Sequence, residues 1–174
     1  CLRAILPEGR LRMHVSIPAA ASVDQPDADE VLLLCHRIPY PPDKGDKIRS
    51  YRWLTALAER YRVHLGAFVD DAQDWAHAES LQRLCGEACL RPLPALRARL
   101  RALQALLTGE PLTVSCYRDA VMSAWTRDLL ARRPVAGVVL YSSAMAQYAP
   151  ASGGRVPRCV IDFVDVDADK WRQY

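Results

Sequence analysis

Four short apolar runs constrain this chain more than any other feature: Val31–Cys35 (VLLLC), Val63–Val69 (VHLGAFV), Val135–Tyr141 (VAGVVLY) and Cys159–Val164 (CVIDFV). Each is too short for an ordinary helix, and none alternates with polar residues as a half-wet strand would. They read as strands buried on both faces of a parallel sheet. Ala88–Leu93 adds a short strand of the same kind. Between the runs, apolar residues recur at helical spacing. Ile48, Tyr51, Leu54, Leu57, Ala58 and Tyr61 mark one helix, and Trp75, Ala78, Leu81, Leu84 and Cys85 a second. Leu96, Leu100, Leu103 and Leu107 mark a third, closed by Gly109 and Pro111. A fourth runs from Asp119 to Arg132, with Val121, Trp125, Leu129 and Leu130 expected inward.

Strands alternating with helices predict βαβ units and right-handed crossovers. The fold class that follows is α/β, a Rossmann-like doubly wound parallel sheet. In such a sheet ligands bind beyond the carboxyl ends of the strands. Three polar segments therefore qualify as site-forming: 36–47, 141–145 and 162–170.

Composition narrows the class. With 174 residues, 51% hydrophobic and 25% charged, the chain suffices for one domain with a real core and is unlike a disordered segment. A net charge of +3 lacks the dense basic stripe of a nucleic-acid binder, so no nucleic-acid partner is expected. The six cysteines (1, 35, 85, 89, 116 and 159) sit partly inside apolar runs and read as reduced, buried thiols. Cys85 and Cys89 lack a second Cys/His pair at zinc spacing, so no metal is expected there. No apolar run reaches the ~20 residues of a membrane span. The segment before Ala19–Ala21 is short and broken by Pro18, which argues against a signal peptide. The expected location is the cytoplasm. Residues 1–29 lack sustained periodicity and are expected to be a disordered extension, with 30–174 forming the domain. The chain stops at Tyr174 just inside an apparent new helix, so truncation before a further domain is expected.

The first site segment reads His36-Arg37-Ile38-Pro39-Tyr40-Pro41-Pro42-Asp43-Lys44-Gly45-Asp46-Lys47-Ile48-Arg49. Prolines stiffen it, and a glycine before a helix lets backbone N–H groups approach an anion. It is neither a P-loop nor a dinucleotide fingerprint, having a single glycine. The alternative is a rigid βα loop whose helix is capped by Asp46, with the charges solvated. Ser142 and Ser143 follow the fourth run; they either bind substrate or cap a short helix. The third segment packs Asp162, Asp165, Asp167 and Asp169 into eight residues. Lys170 stands where a calcium loop needs glycine, so calcium is rejected. Asp162 and Asp165 are the candidate catalytic carboxylates, as general base or acceptor-hydroxyl partner. Asp167 reads as a helix N-cap. His64 reads as a core histidine and His14 and His77 as solvent-facing; His36 is the one histidine placed to act. Trp53, Trp75 and Trp125 read as packing residues. Arg97, Arg99 and Arg101 interleave with leucines, giving either a packed helix with a solvated face or a contact for an anionic membrane.

The strings CHRIPYPPDKGDKIRSYRWL, VHLGAFVDDAQDWAH, YSSAMAQYA and DFVDVDADKWRQY together resemble the sugar transferases associated with the exosortase/PEP-CTERM exopolysaccharide system, family-four-like glycosyltransferases of GT-B fold. The resemblance covers about Val31 to Tyr174. It implies the acceptor-side half of a two-domain enzyme, with a nucleotide-sugar donor and a saccharide or lipid-linked acceptor. It implies no cofactor and no obligatory metal, and allows peripheral contact with the inner face of the cytoplasmic membrane. The fragment alone is then expected to be inactive. Relatives often carry a Gly-Gly pair near the donor diphosphate; Gly45 matches the first glycine and Asp46 replaces the second. The resemblance thus makes Gly45, with Asp46, Lys47, Arg49, His36 and Arg37, the donor-phosphate or substrate set, Lys44, Lys47 and Arg49 offsetting the Asp46 charge. Relatives with a histidine near the fourth strand use it on the transferred sugar; Ser142 and Ser143 stand there instead. Two other readings remain open: a non-catalytic acceptor-binding scaffold and a nucleotide-binding oxidoreductase module.

Overall fold

The computed structural model describes residues 29–93, 112–150 and 157–163. Five strands, β1 (Glu30–Cys35), β2 (Arg62–Val69), β3 (Ala88–Pro92), β4 (Val135–Tyr141) and β5 (Arg158–Asp162), form one parallel sheet in the order β3-β2-β1-β4-β5. The helices are α1 (Gly45–Ala58), α2 (Ala78–Leu84), the short α3 (Leu112–Cys116) and α4 (Ala120–Arg132). Two 3₁₀ turns, Ala72–His77 and Ser143–Tyr148, lie after β2 and β4. The fold is α/β and Rossmann-like, as the alternation of runs predicts. Residues 1–28, the leucine stripe from Leu96 with Arg97, Arg99 and Arg101, and Asp165, Asp167 and Asp169 all lie outside the described residues.

The apolar runs of β1, β2 and β4 are explained by two cores. Strand β5, at the sheet edge, leaves Cys159 and Val160 exposed and is not buried on both faces as expected. Val31, Leu33 and Cys35 of β1 pack with Leu54 of α1 and Leu81 of α2 on one face. Leu32 and Leu34 pack with Met122 and Leu129 of α4 on the other. A central strand clad on both sides has no wet face to mark with polar residues. Burial raises the thiol pKa of Cys35, and that of Cys85 to about 12; both are free and buried.

Helix faces differ from the expected ones in two places. In α4, Leu129 is buried and Trp125 and Leu130 pack against the core as expected, but Met122 and Thr126 turn inward where Val121 was expected and Val121 is exposed. Trp75 is also exposed, because its segment is 3₁₀ and turns about 120° per residue rather than 100°; Asp74 points inward instead.

At the amino edge of the sheet, Glu30 extends β1 one residue beyond the apolar run. Its carboxylate meets the fully buried His64 (Nε2–Oε2 3.0 Å), and Arg133 lies 3.6 Å from its other oxygen. His64 is thus a core histidine bonded through one nitrogen; Nδ1 has no partner. Burial lowers its pKa, outweighing the opposing pull of Glu30 and Glu87. The unfolded chain therefore binds this proton more readily, and stability present above about pH 6.5 is lost as pH falls below it. Thermal midpoints should decline from pH 7 towards pH 5, and His64→Gln should flatten that decline. An unchanged slope in the variant would remove His64 as its cause.

Candidate functional site at the carboxyl edge of the sheet

The strand order reverses direction between β1 and β4: the chain leaves β1 towards β2 and leaves β4 towards β5. In open parallel sheets such a switch point is where ligands bind beyond the strand ends. Cys35 and Tyr141 are register partners there, so His36 and Ser142 emerge side by side.

His36 stacks on Tyr141, with ring centroids 5.6 Å apart, and meets Tyr117 edge-on. Its Nε2 lies 3.5 Å from Asp46 Oδ2, and its Nδ1 is buried without a partner. Burial lowers its pKa more than Asp46 raises it, so the ring is neutral near pH 7. With Nδ1 buried, Nε2 turned to Asp46 and the ring against two tyrosines, His36 is held in the wall of the edge. The Tyr141 hydroxyl donates to the Asp46 carbonyl at 2.9 Å, tying β4 to the start of α1. Burial pushes its pKa up to about 12, so it remains a donor.

Arg37 links the start of α1 to the end of β2. Its Nη1 donates to Asp46 Oδ2 at 3.0 Å, and its Nη2 lies 2.9 Å from Asp70 Oδ2. Burial alone would raise the Asp46 carboxyl; the Arg37 bond, the Lys47 N–H and the neighbouring charges hold it below the ordinary carboxylate range. Asp46 is not the N-cap. That place belongs to Lys44, which makes no side-chain cap, and Asp46 lies in the first turn with its carboxylate turned to Arg37 and Lys47 N. The repulsive carboxylate is thus pinned by an arginine.

Lys47 also departs from its expected role as a phosphate-facing cation. Its side chain is 1% exposed, with Nζ 2.7 Å from Asp74 and 3.4 Å from Asp43. It locks α1 to the 3₁₀ turn after β2. Asp162, a candidate base, has both oxygens engaged: Arg49 Nη2 donates to one at 2.8 Å and Trp53 Nε1 to the other at 2.8 Å. Trp53 is therefore more than packing.

Ser142 caps the 3₁₀ turn, accepting from Ala144 N at 3.4 Å, and its N–H donates to the Asp162 carbonyl. Its φ of 89° is in the region L-residues avoid, a strain of about 1–3 kcal/mol that tends to occur at functional sites. Ser143 is exposed beside it.

Gly45 stands at the first position of α1, exposed, with nothing within 4 Å of where a Cβ would lie and no positive φ. Among the described residues nothing requires glycine there, which leaves room for a ligand at the helix N-terminus, where the Lys47 N–H is already taken by Asp46.

Sequence reasoning placed His36, Arg37, Gly45, Asp46, Arg49, Ser142 and Asp162 at one sheet edge, and they are there. It included Tyr141 only as the start of segment 141–145, and it missed Asp70, Asp74 and Tyr117, whose partners lie in distant segments.

Elsewhere, a cavity of about 440 Å³ lies between α4 and the segment 147–150, lined by Thr126, Leu130, Gln147 and Tyr148. Its one charged lining residue is Arg127 and it holds no nominated residue, so the switch point remains the better candidate. Among the described residues no cluster of three or more His, Cys, Asp or Glu could hold a metal, and no helix is long and apolar enough to cross a membrane. Comparison with family models, curated proteins and solved structures finds no match.

Proposed function

We propose that this sheet edge is the acceptor-side wall of a nucleotide-sugar-dependent glycosyltransferase of exopolysaccharide assembly, the remainder of the donor site lying on a second domain. The observation that carries it is the open glycine at the N-terminus of α1, set at the switch point of a parallel sheet. The spread of the family resemblance over four separated segments supports the same reading. An acceptor hydroxyl would attack the anomeric carbon as the bond to the donor diphosphate breaks. Backbone N–H groups of α1 and nearby cations would stabilise the developing phosphate charge. Asp46, Asp70 and Asp162 each hold an arginine, and this reading gives them the task of positioning those cations.

Incubating the intact protein with labelled nucleotide sugars and with saccharide or lipid-linked acceptors tests the reading. Sugar transfer without consumption of NAD(P) is the expected result. Absence of transfer across the common nucleotide sugars, with stabilisation by NAD(P), would replace it with the oxidoreductase reading.

A further inference from the structure

We propose that Asp162 works through Arg49, fixing its guanidinium at the carboxyl edge as a recognition group for a phosphate-bearing substrate. The inference rests on the transferase reading and names a substrate chemistry for it.

Asp162 ends β5 as the register partner of Tyr141. Its side chain is 8% exposed and that of Arg49 is 55% exposed. A base must reach its substrate; this carboxylate is nearly closed off, and each oxygen already accepts a bond. Trp53, one turn beyond Arg49 on α1, pins the second oxygen and so fixes where the first can hold the guanidinium. With the carboxylate enclosed and the guanidinium half open, the pair fixes the orientation of Arg49 at the edge.

The arrangement leaves Arg49 with donors to offer. One Nη is engaged, and its other N–H groups have no partner among the described residues. Arg37 has both Nη groups on carboxylates, and Lys47 is buried. Lys44 is exposed, and among the described residues no carboxylate holds it in position. Arg49 also follows Gly45 by four residues, which places the two on one face of α1. A planar guanidinium with free N–H groups, carried one turn along α1 from the exposed Gly45, suits phosphate oxygens, which accept in pairs. Those oxygens belong either to the donor diphosphate or to a phosphate-linked acceptor.

The test compares Arg49→Ala, Arg49→Lys, Asp162→Asn and the Arg49→Ala/Asp162→Asn double variant in the intact protein. Donor and acceptor are varied separately, and thermal midpoints are recorded. Arg49→Ala and Asp162→Asn should each raise one substrate's KM about five- to tenfold with kcat within about twofold, the pattern of lost binding. The double variant should be no worse than Arg49→Ala alone, and Arg49→Lys should recover part of the loss. A donor effect assigns the contact to the donor diphosphate; an acceptor effect assigns it to the acceptor's phosphate. A large fall in kcat for Asp162→Asn at constant KM would make Asp162 a base and overturn the proposal. Additive effects in the double variant, or lower thermal midpoints with unmoved KM, would overturn it as well. If the wild-type protein transfers no sugar, the transferase reading fails by itself. Inorganic pyrophosphate then decides the Arg49 proposal, its ³¹P line broadening with wild-type protein and not with Arg49→Ala; equal broadening by both would sink it.

Discussion

Asp74→Ala should destabilise the protein by about 3–5 kcal/mol, the loss that follows when one member of a buried ion pair is removed and the other charge stays behind. Lys47 Nζ and Asp74 Oδ2 are 2.7 Å apart, with side chains 1% and 7% exposed. Burial alone would lower the Lys47 pKa; the bonds to Asp74 and Asp43 outweigh it and raise it, so the ammonium is charged in the folded protein. Asp43 is more than half exposed at 3.4 Å and offers partial replacement, which places the expected loss towards the lower end of the range. A shift in the urea midpoint at unchanged m-value would measure it. Replacing both partners with apolar residues, Lys47→Met with Asp74→Leu, should cost much less than Asp74→Ala alone. A single-variant loss below about 1 kcal/mol would show that the pair is solvated, contrary to the burial described. The pair also matters to the site, because it holds the first turn of α1 against the turn after β2.

Gly66→Val should be comparably damaging for a steric reason. A Cβ at Gly66 would lie 2.5 Å from Leu34 Cδ2, 2.9 Å from Met122 Sδ and 3.1 Å from Trp125. Leu34 and Met122 are fully buried in the core between β1 and α4, so they have little room to withdraw. Overpacking of this kind costs about 1–3 kcal/mol, and valine should reach or pass the upper end, with alanine below it. Leu34→Ala should relieve part of the Gly66→Ala penalty, giving a double variant more stable than the sum of the single losses. Strict additivity would mean that α4 moves away from the sheet instead.

Much of this architecture is legible in the residues. Val135–Tyr141 is a strand with the bounds its apolar run predicts, and Asp119 caps α4 through Met122 N. Glu30 escaped because a charged residue at a strand start looks like a loop until its partner His64, 34 positions away, is known. Trp75 and Val121 were misplaced for a related reason: apolar spacing gives a period, but a 3₁₀ segment or a one-residue offset at a helix start changes which residues face inward. At the site, topology located the edge correctly. The chemistry of individual side chains was hidden because it depends on tertiary pairs. Arg49 meets Asp162 across 113 positions and Lys47 meets Asp74 across 27, and no local pattern encodes either. Those pairs engage both oxygens of the expected base Asp162 and bury the expected phosphate-facing cation Lys47.

The claim that the α1 N-terminus receives a substrate phosphate is tested most directly by Gly45→Val in the intact protein, read for stability and sugar transfer together. With nothing within 4 Å of the new Cβ, stability should stay within about 0.5 kcal/mol of wild type. Transfer should fall at least roughly tenfold, about 1.4 kcal/mol of lost transition-state stabilisation, with weaker donor binding. Wild-type turnover and donor affinity in a stable Gly45→Val variant would contradict the account.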